Sequence, residues 1–175
     1  MIKFGVILMA ICFIASLVLA LVYQITQPVI ASQRSREELA LLKEVLPTAN
    51  KFKVITNQGE EYFEGSNRGR TVGYIIRANS RGYSGDIKIL VGIAIDGKIK
   101  GVQVLEHTET PGLGARITEV KSGEKHPWFL EQFKEKRIEE LNFKNVQAIT
   151  GATVSSKAVL EGVKKEAEEF LKSKR

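Results

Sequence analysis

The chain has 175 residues, of which 43% are hydrophobic and 26% are charged, and its 26 basic and 20 acidic side chains give a net charge of +6. This composition is typical of one globular domain with an attachment and excludes an intrinsically disordered chain. The single cysteine excludes a disulfide framework, a CxxCH haem site and a cysteine-ligated iron–sulfur cluster, and the two histidines, His107 and His126, lack the spacing of metal ligands, so we expect no metal site.

The first predicted element is a helix that crosses a membrane. Residues 4–23 carry no charge, and at about 1.5 Å per residue they span about 30 Å, one hydrocarbon thickness. A cleaved signal peptide is the alternative, but this apolar run is longer than the usual 7–15 residues or so. We therefore expect residues 1–26 to anchor the chain in the lipid bilayer of the inner (plasma) membrane, with the soluble domain on the outer, periplasmic side.

A second helical pattern follows the anchor. In residues 33–46, Leu39, Leu42 and Leu46 fall on one face, and Pro47 ends the pattern. The sequence thus predicts a connecting helix within residues 27–48 and a domain over residues 49–175.

The middle of the chain is rich in strand patterns, at residues 51–56, 71–78, 86–95 and 98–107. Asp96-Gly97 lies between two β-branched runs and predicts a hairpin. A mixed region with an apolar part at residues 126–133 follows, where Trp128 and Phe129 are expected to pack in the core. A short strand is predicted near residues 143–149. A final helix carries apolar residues on one face, and its basic end lacks an aromatic patch, so nucleic acid is not an expected partner. The sequence predicts an α+β fold, with one N-terminal transmembrane helix followed by a largely antiparallel sheet flanked by helices.

The stretch TGATVSSKAV, residues 150–159, precedes the last helix and combines small residues with hydroxyls. Ser155 or Ser156 is the predicted N-cap. The free amides of a helix start bind anions, Gly151 and Ala152 allow close approach of the backbone, and Thr153 adds a hydroxyl. The stretch fits a bound or esterified phosphate, and an ordinary turn and cap is the alternative. Lys157 either neutralises that phosphate or is a solvated lysine of the first turn.

Two further loops are rich in glycine. RGYSGDI, residues 81–87, encloses Tyr83-Ser84 between glycines, and EHTETPGLGARI, residues 106–117, carries Leu113 between Gly112 and Gly114. Such loops can place backbone amides and an apolar side chain against a flat ring, or they can be plain hairpin exits. His107 and Glu109 could flank such a ring and tune its potential, but we favour the alternative that they are polar residues at a hairpin end that face water.

Four stretches agree in order with a known family: GYSGDIKILVGI, DGKIKGVQVLEHTETPGLGARI, WFLEQF and AITGATVSSKAV. Together they resemble the FMN-binding domain of the G subunit of the Rnf electron-transport complex. The C subunit of the Na⁺-translocating NADH:quinone reductase shares the domain but is generally longer, so the short chain favours the Rnf subunit. In this family a threonine hydroxyl carries FMN as a phosphoester, at the end of a motif Asp-x-x-Ser/Thr-Gly-Ala-Thr. That threonine is Thr153 here, and Gln147 replaces the motif aspartate.

The resemblance implies an electron relay in an ion-translocating complex of the ferredoxin:NAD⁺ oxidoreductase type. Its partners would be other membrane, flavin and iron–sulfur subunits, with a flavin transferase for maturation, and no residue need act as an acid or base. The implied cofactor-binding residues, together with Lys157, are Thr153, Thr150, Gly151, Ala152, Thr110, Pro111, Gly112, Leu113, Gly114, Tyr83, Ser84 and Gly85. The alternatives are a part like the C subunit of the quinone reductase, a membrane-tethered module that binds flavin or a phosphorylated ligand without catalysis, and a scaffold subunit with an unused motif.

Overall fold

A computed structural model describes residues 2–57 and 60–174, in two compact units, Met1–Ala40 and Leu41–Arg175. Helix α1 (Ile2–Val45) covers both the predicted anchor and the predicted connecting helix. Among the described residues, one stretch of helix, Ile7–Gln24, is long and apolar enough to cross a membrane, and none of it is buried within the protein. The apolar N-terminal helix that the sequence predicts is therefore present.

Helix α1 ends where the sequence predicts that it should. The residue before a proline is disfavoured in the helical region, and the helix stops at Val45, one residue before the Leu46-Pro47 pair. Leu42, Val45 and Leu46 are buried in the second compact unit, whereas Leu39 is half exposed. The end of α1 is thus part of the core of this second unit, Leu41–Arg175, named here the soluble unit.

Within residues 2–57 and 60–174 the chain forms a five-stranded antiparallel sheet in sequence order. Its strands are β1 (Lys51–Asn57), β2 (Glu60–Asn67), β3 (Arg70–Arg81), β4 (Asp86–Ala94) and β5 (Ile99–His107). The four predicted strands are confirmed, and so is the Asp96-Gly97 turn between β4 and β5, where Gly97 has a φ of 80°. Strand β2 escaped prediction because its acidic residues and glycine have weak strand propensity, and its pairing with strands on both sides overrides that preference.

The two faces of the sheet pack against different layers. Neighbouring side chains of a strand point to opposite faces, so that Ile76 and Val91 join the main core while Ile75 and Leu90 join a smaller one. The main core contains α2 (Trp128–Glu131) and α3 (Thr153–Ser173), with short 3-10 helices at Gly114–Thr118 and Ile138–Glu140. Phe129 is fully buried there and Trp128 packs against it, as predicted.

The smaller core contains a strip of glycines that receives the end of α1. Gly65 pairs with Gly73 across β2 and β3, and Gly92 pairs with Gly101 across β4 and β5. A Cβ atom on Gly92 would lie 2.2 Å from the carbonyl oxygen of Val45, which is impossible without displacement of the backbone. The absence of side chains on these strands therefore sets how closely the helix end approaches the sheet.

The strand predicted near residues 143–149 is absent from the described chain, which forms turns there. The amide of Val146 donates to the carbonyl of Asn142 at 2.9 Å, and the side-chain amide of Asn145 donates to the carbonyl of Glu140 at 2.8 Å. Asparagine side chains that bond nearby backbone groups compete with strand formation. The apolar pattern of this stretch reflects buried loop residues, Val146 and Ile149.

Candidate functional site

An open cleft with a volume of about 430 Å³ lies where three segments of the soluble unit meet. The segments are the turn between β3 and β4, the loop that follows β5, and the start of α3. The side chains and backbone that form the cleft are those of Tyr83, Glu109, Thr110, Leu113, Gly114, Gly151, Ala152, Thr153, Val154 and Ser155. The three glycine-rich stretches that stood apart in the sequence therefore face one cavity.

The turn between β3 and β4 is closed by a backbone hydrogen bond. The amide of Gly82 donates to the carbonyl of Gly85 at 2.8 Å. A Cβ atom on Gly85 would lie 1.9 Å from the hydroxyl oxygen of Thr108, so that any larger residue would force the Thr108 side chain to move where the turn approaches the loop after β5. The side chain of Tyr83 remains exposed at the rim of the cleft.

The loop after β5 folds around one carbonyl group. The amides of Leu113 and Ala115 both donate to the carbonyl of Thr110 at 3.2 Å, and Gly112 takes a φ of 75° that favours glycine. This arrangement holds the side chain of Leu113 out of the core, 51% exposed. A terminal methyl carbon of Leu113 faces Gly151, 3.6 Å from the position that a Cβ would take there. An apolar surface is thus held opposite the loop before α3.

Helix α3 starts at Thr153, and its N-cap is Ala152, not the predicted Ser155 or Ser156. The hydroxyl of Ser156 accepts the amide of Ile149 at 3.0 Å and donates to the carbonyl of Ala152 at 2.9 Å, which closes the loop before the helix. Alanine has no side-chain oxygen to satisfy the first-turn amides. The helix therefore begins with uncapped N–H groups beside the cleft, an arrangement that binds anions.

Two cations lie near this helix start, and each has an acidic partner. The Arg116 guanidinium donates to the carbonyl of Thr150 at 3.4 Å and to the carboxylate of Glu119 at 2.9 Å. The sequence does not predict a role for Arg116, because the turn that brings it to residue 150 has no local signal. The ammonium of Lys157 lies 3.6 Å from Glu161 and does not line the cleft.

Glu109 is a buried carboxylate at the cleft, only 4% exposed, so that of its two sequence interpretations the favoured one, a residue that faces water, is wrong. One of its oxygens accepts the amide of Ser84 at 3.0 Å, and the other accepts the hydroxyl of Ser155 at 2.5 Å. A Cβ atom on Gly82 or on Gly114 would lie 2.3 Å from these oxygens. The glycines make room for the carboxylate, a dependence that only the folded chain reveals.

The predicted site residues divide into three groups. Seven of them line the cleft: Tyr83, Thr110, Leu113, Gly114, Gly151, Ala152 and Thr153. Five are in the same loops without lining it: Ser84, Gly85, Pro111, Gly112 and Thr150. Lys157 lies one turn into α3. The lining residues absent from the prediction are Glu109, Val154 and Ser155.

Comparisons with known proteins agree with this architecture. Residues 82–168 match the family described as FMN-binding domain, and residues 1–45 match the family described as RnfG N-terminal region. The fold is similar to that of NqrC from Shewanella oneidensis, whose crystal structure matches with a TM-score of 0.51 over 73% of each chain at 21% sequence identity.

Several curated proteins are similar over nearly the whole chain. The G subunit of the proton-translocating ferredoxin:NAD(+) oxidoreductase complex of Clostridium ljungdahlii is 36% identical over 90% of this chain and 85% of its own length. The G subunit of the ion-translocating oxidoreductase complex of Methanosarcina acetivorans is 35% identical over 92% of this chain and 89% of its own. The G subunit of the Na(+)-translocating ferredoxin:NAD(+) oxidoreductase complex of Acetobacterium woodii is 32% identical over 92% and 87%.

Proposed function

Because the chain belongs to the G-subunit family of ion-translocating oxidoreductase complexes, we propose that it carries FMN on Thr153 and relays electrons between other subunits of such a complex. It is a membrane-anchored subunit and not a complete enzyme. The observation that supports the cofactor assignment most directly is the cleft itself, where the last threonine of the attachment motif stands at an uncapped helix start.

The start of α3 fits the phosphate of FMN. Its uncapped amides favour an anion, and Gly151, with a φ of 81°, presents backbone without a side chain. The exposed side chain of Thr153 occupies the first helical position, beside these amides. Arg116, held at the carbonyl of Thr150, adds a positive charge at the same loop.

The opposite walls of the cleft fit a flat aromatic ring. Tyr83, Leu113 and Val154 line it with side chains that are 74%, 51% and 52% exposed, respectively. Their apolar surface lacks a covering layer of protein, and a ring placed against it would gain contact while one edge stayed open to partners. Thr110 supplies a hydroxyl at the same wall.

Bound FMN supplies reversible electron transfer, and the protein supplies position and electrostatics. Attachment would form a bond between the Thr153 hydroxyl oxygen and the phosphorus nearest the flavin in a flavin dinucleotide donor. The bond between that phosphorus and the bridging oxygen would break, and the nucleoside monophosphate would leave with the hydroxyl proton. A flavin transferase would catalyse this step. The glycine-rich loops then orient the ring, and the helix start holds the remaining phosphate charge.

We expect the relay to work in a complex of the ferredoxin:NAD⁺ oxidoreductase type, and ion movement to take place in other subunits. Residues 4–23 contain no acidic or basic side chain, whereas transport sites within membranes use ionisable groups. The soluble unit is proposed to lie on the outer side of the membrane, because large domains are translocated largely regardless of their charge.

The experiment is co-expression of the full chain with a flavin transferase, comparing wild type, Thr153→Val and Thr56→Val. We expect wild type and Thr56→Val to give a band that fluoresces on a denaturing gel, and a mass heavier by one FMN less one water. Thr153→Val should give neither signal, because valine has no hydroxyl to esterify. Covalent flavin on Thr153→Val would refute the site. Wild type that releases all its flavin on denaturation would instead indicate a reversible binding module.

A further inference from the structure

The structure points to a further residue of the site: we propose that Glu109 is its positioning residue, whose buried carboxylate fixes the ring-binding loops relative to Thr153 and places a negative charge beside the flavin. This inference rests on the proposed function. It starts from the observation that Glu109 is a buried acidic side chain that also lines the open cleft.

The contacts of Glu109 join all three segments of the cleft. Its backbone belongs to the loop after β5, its first carboxylate oxygen accepts the amide of Ser84 from the turn between β3 and β4, and its second accepts the hydroxyl of Ser155 from the first turn of α3. Ser155 is only 2% exposed, so this last bond is shielded from water. Hydrogen bonds to a charged group are worth more than neutral ones, and more again when buried.

The backbone around Glu109 is shaped to accept it. Glycines at positions 82 and 114 leave the space that the two carboxylate oxygens occupy, and a Cβ at either position would lie 2.3 Å from one of them. The amide of Glu109 donates to the ring nitrogen Nδ1 of His107 at 3.3 Å, which restrains the start of the loop. Burial of a carboxylate costs desolvation free energy, which an apolar side chain at this position would avoid. The two hydrogen-bond donors and the space left by the two glycines offset this cost for Glu109.

The position of the charge gives a second, electrostatic consequence. The first turn of a helix favours a negative group. The carboxylate of Glu109 already lies on the buried side of the first turn of α3, where it accepts the hydroxyl of Ser155. The flavin phosphate is then directed to the outer amides, at Thr153 and Val154. A fixed negative charge lining the cleft also opposes the addition of electrons to the ring, since like charges repel.

The test uses the full chain, co-expressed with a flavin transferase, and separates geometry from charge. Glu109→Gln keeps the shape, because the amide oxygen can accept from Ser84 and the amide nitrogen can donate to the hydroxyl of Ser155. We expect nearly normal flavin attachment and a midpoint potential shifted upward. Ser155→Ala keeps the charge and removes the bond to α3, so the attached fraction should fall with no upward shift.

Glu109→Ala removes both the charge and the hydrogen bonds. We expect the fraction of chains with attached flavin to fall about tenfold or more, because the loss of hydrogen bonds to a charged group has a cost of this size. The matched control is Glu106→Gln, near the end of β5 and three residues before Glu109, where the exposed carboxylate pairs with Lys88. In the flavin-free protein, hydrogen exchange of the Ser84 amide should accelerate in Glu109→Ala and stay unchanged in Glu109→Gln and in the control.

The outcomes separate the two proposals. A wild type without covalent flavin contradicts the proposed function, and the exchange of the Ser84 amide still tests the positioning role. If wild type carries flavin but Glu109→Gln and Glu106→Gln have the same midpoint potential, the charge effect is overturned. Normal flavin attachment in Ser155→Ala overturns the positioning role. If Glu109→Ala fails to fold, Glu109→Gln and Ser155→Ala decide both points.

Discussion

At the scale of single residues, the first position of the attachment motif can be changed without disturbing the fold, so it allows recognition by the proposed transferase to be tested separately from stability. Gln147 occupies the place of the motif aspartate, and its side chain is exposed. Its backbone is held independently, since its amide donates to the side-chain oxygen of Gln132 at 2.7 Å and its carbonyl accepts from the side-chain nitrogen at 3.1 Å. The side chain of residue 147 is therefore free to vary without loss of structure.

We predict that Gln147→Asp leaves the thermal stability of the protein unchanged, because the bonds to Gln132 involve only the backbone of residue 147. If the transferase reads this position, the fraction of chains with covalent flavin rises. Gln147→Asn is the uncharged control and should behave as wild type. Absorbance of the flavin relative to protein, after denaturation, measures the fraction; equal fractions in all three chains would mean that position 147 is not read.

At the scale of elements, small residues decide how the helices meet the sheet. The glycine strip admits the end of α1 on one face. On the other face, Gly162 of α3 approaches Ser80 of β3, where a Cβ would lie 2.7 Å from the serine Cβ. Both contacts depend on absent side chains, and neither is visible in a hydrophobic pattern. Glycine weakens the strand propensity of a segment, yet here each glycine allows two segments of backbone to pack closely.

Gly92→Ala should destabilise the soluble unit by about 1–3 kcal/mol, the usual cost of overpacking a core. The added methyl group would meet the carbonyl of Val45, and a backbone group cannot rotate away as a flexible side chain can. Urea unfolding of the full chain in detergent measures the change. Gly5→Ala is the control, since nothing lies within 4 Å of that position; a similar loss in both variants would argue against the packing explanation.

The last turn of α3 is held by a cation. The Lys174 ammonium lies 4.7 Å from the ring centre of Tyr62 and 4.5 Å from that of Tyr74. We expect Lys174→Ala to lower the free energy of unfolding by about 0.5–1 kcal/mol, as for exposed cation–π contacts. Lys172→Ala, an exposed neighbour, serves as control.

The same contact carries a pH dependence. Its hydrogen bond with Tyr62 raises the pKa of Lys174 above the ordinary value of 10.5. A group whose pKa is higher in the folded state stabilises fully below its unfolded pKa, and the effect is lost as pH rises through the folded pKa. The difference in unfolding free energy between wild type and Lys174→Ala should thus be constant near neutral pH and shrink above about 10.5. A difference that grows with alkaline pH would contradict this origin.

At the scale of the whole molecule, the boundary of the soluble unit can be tested by truncation. Leu42, Val45 and Leu46 are almost fully buried in the smaller core, and the compact unit begins at Leu41. Removing these three side chains forfeits roughly 5 kcal/mol or more of apolar burial, comparable to the entire stability of many domains. We predict that residues 41–175 fold as a soluble protein and that residues 49–175 do not, as judged by cooperative thermal unfolding. Equal stability of the two would support independent folding from residue 49.

Periodicity in the sequence was enough to predict the apolar helix, four of the strands and the β4–β5 hairpin, because each depends on local pattern. Strand β2 has weak strand propensity of its own and forms through its pairing with β1 and β3. The turns at residues 142–146 depend on hydrogen bonds of asparagine with nearby backbone, which an apolar pattern does not reveal. In the candidate site, the glycine-rich loops could be predicted as ligand-binding segments because of their unusual composition. For Glu109 the sequence left a place beside the ring as one of two alternatives, and for Arg116 it predicted no role. Nothing beside them in the sequence indicates the buried bond to Ser155 or the contact with residue 150.

The openness of the cleft has a consequence for how long a cofactor stays. Walls formed by half-exposed Leu113 and Val154 enclose little of a ring, and ligands with so much surface left in water dissociate quickly. The ester bond proposed at Thr153 would make the residence time of the cofactor equal to the lifetime of the polypeptide, whatever the affinity. With such a bond, one edge of the ring would stay exposed to redox partners without loss of the cofactor, which reversible binding in so open a cleft would not permit.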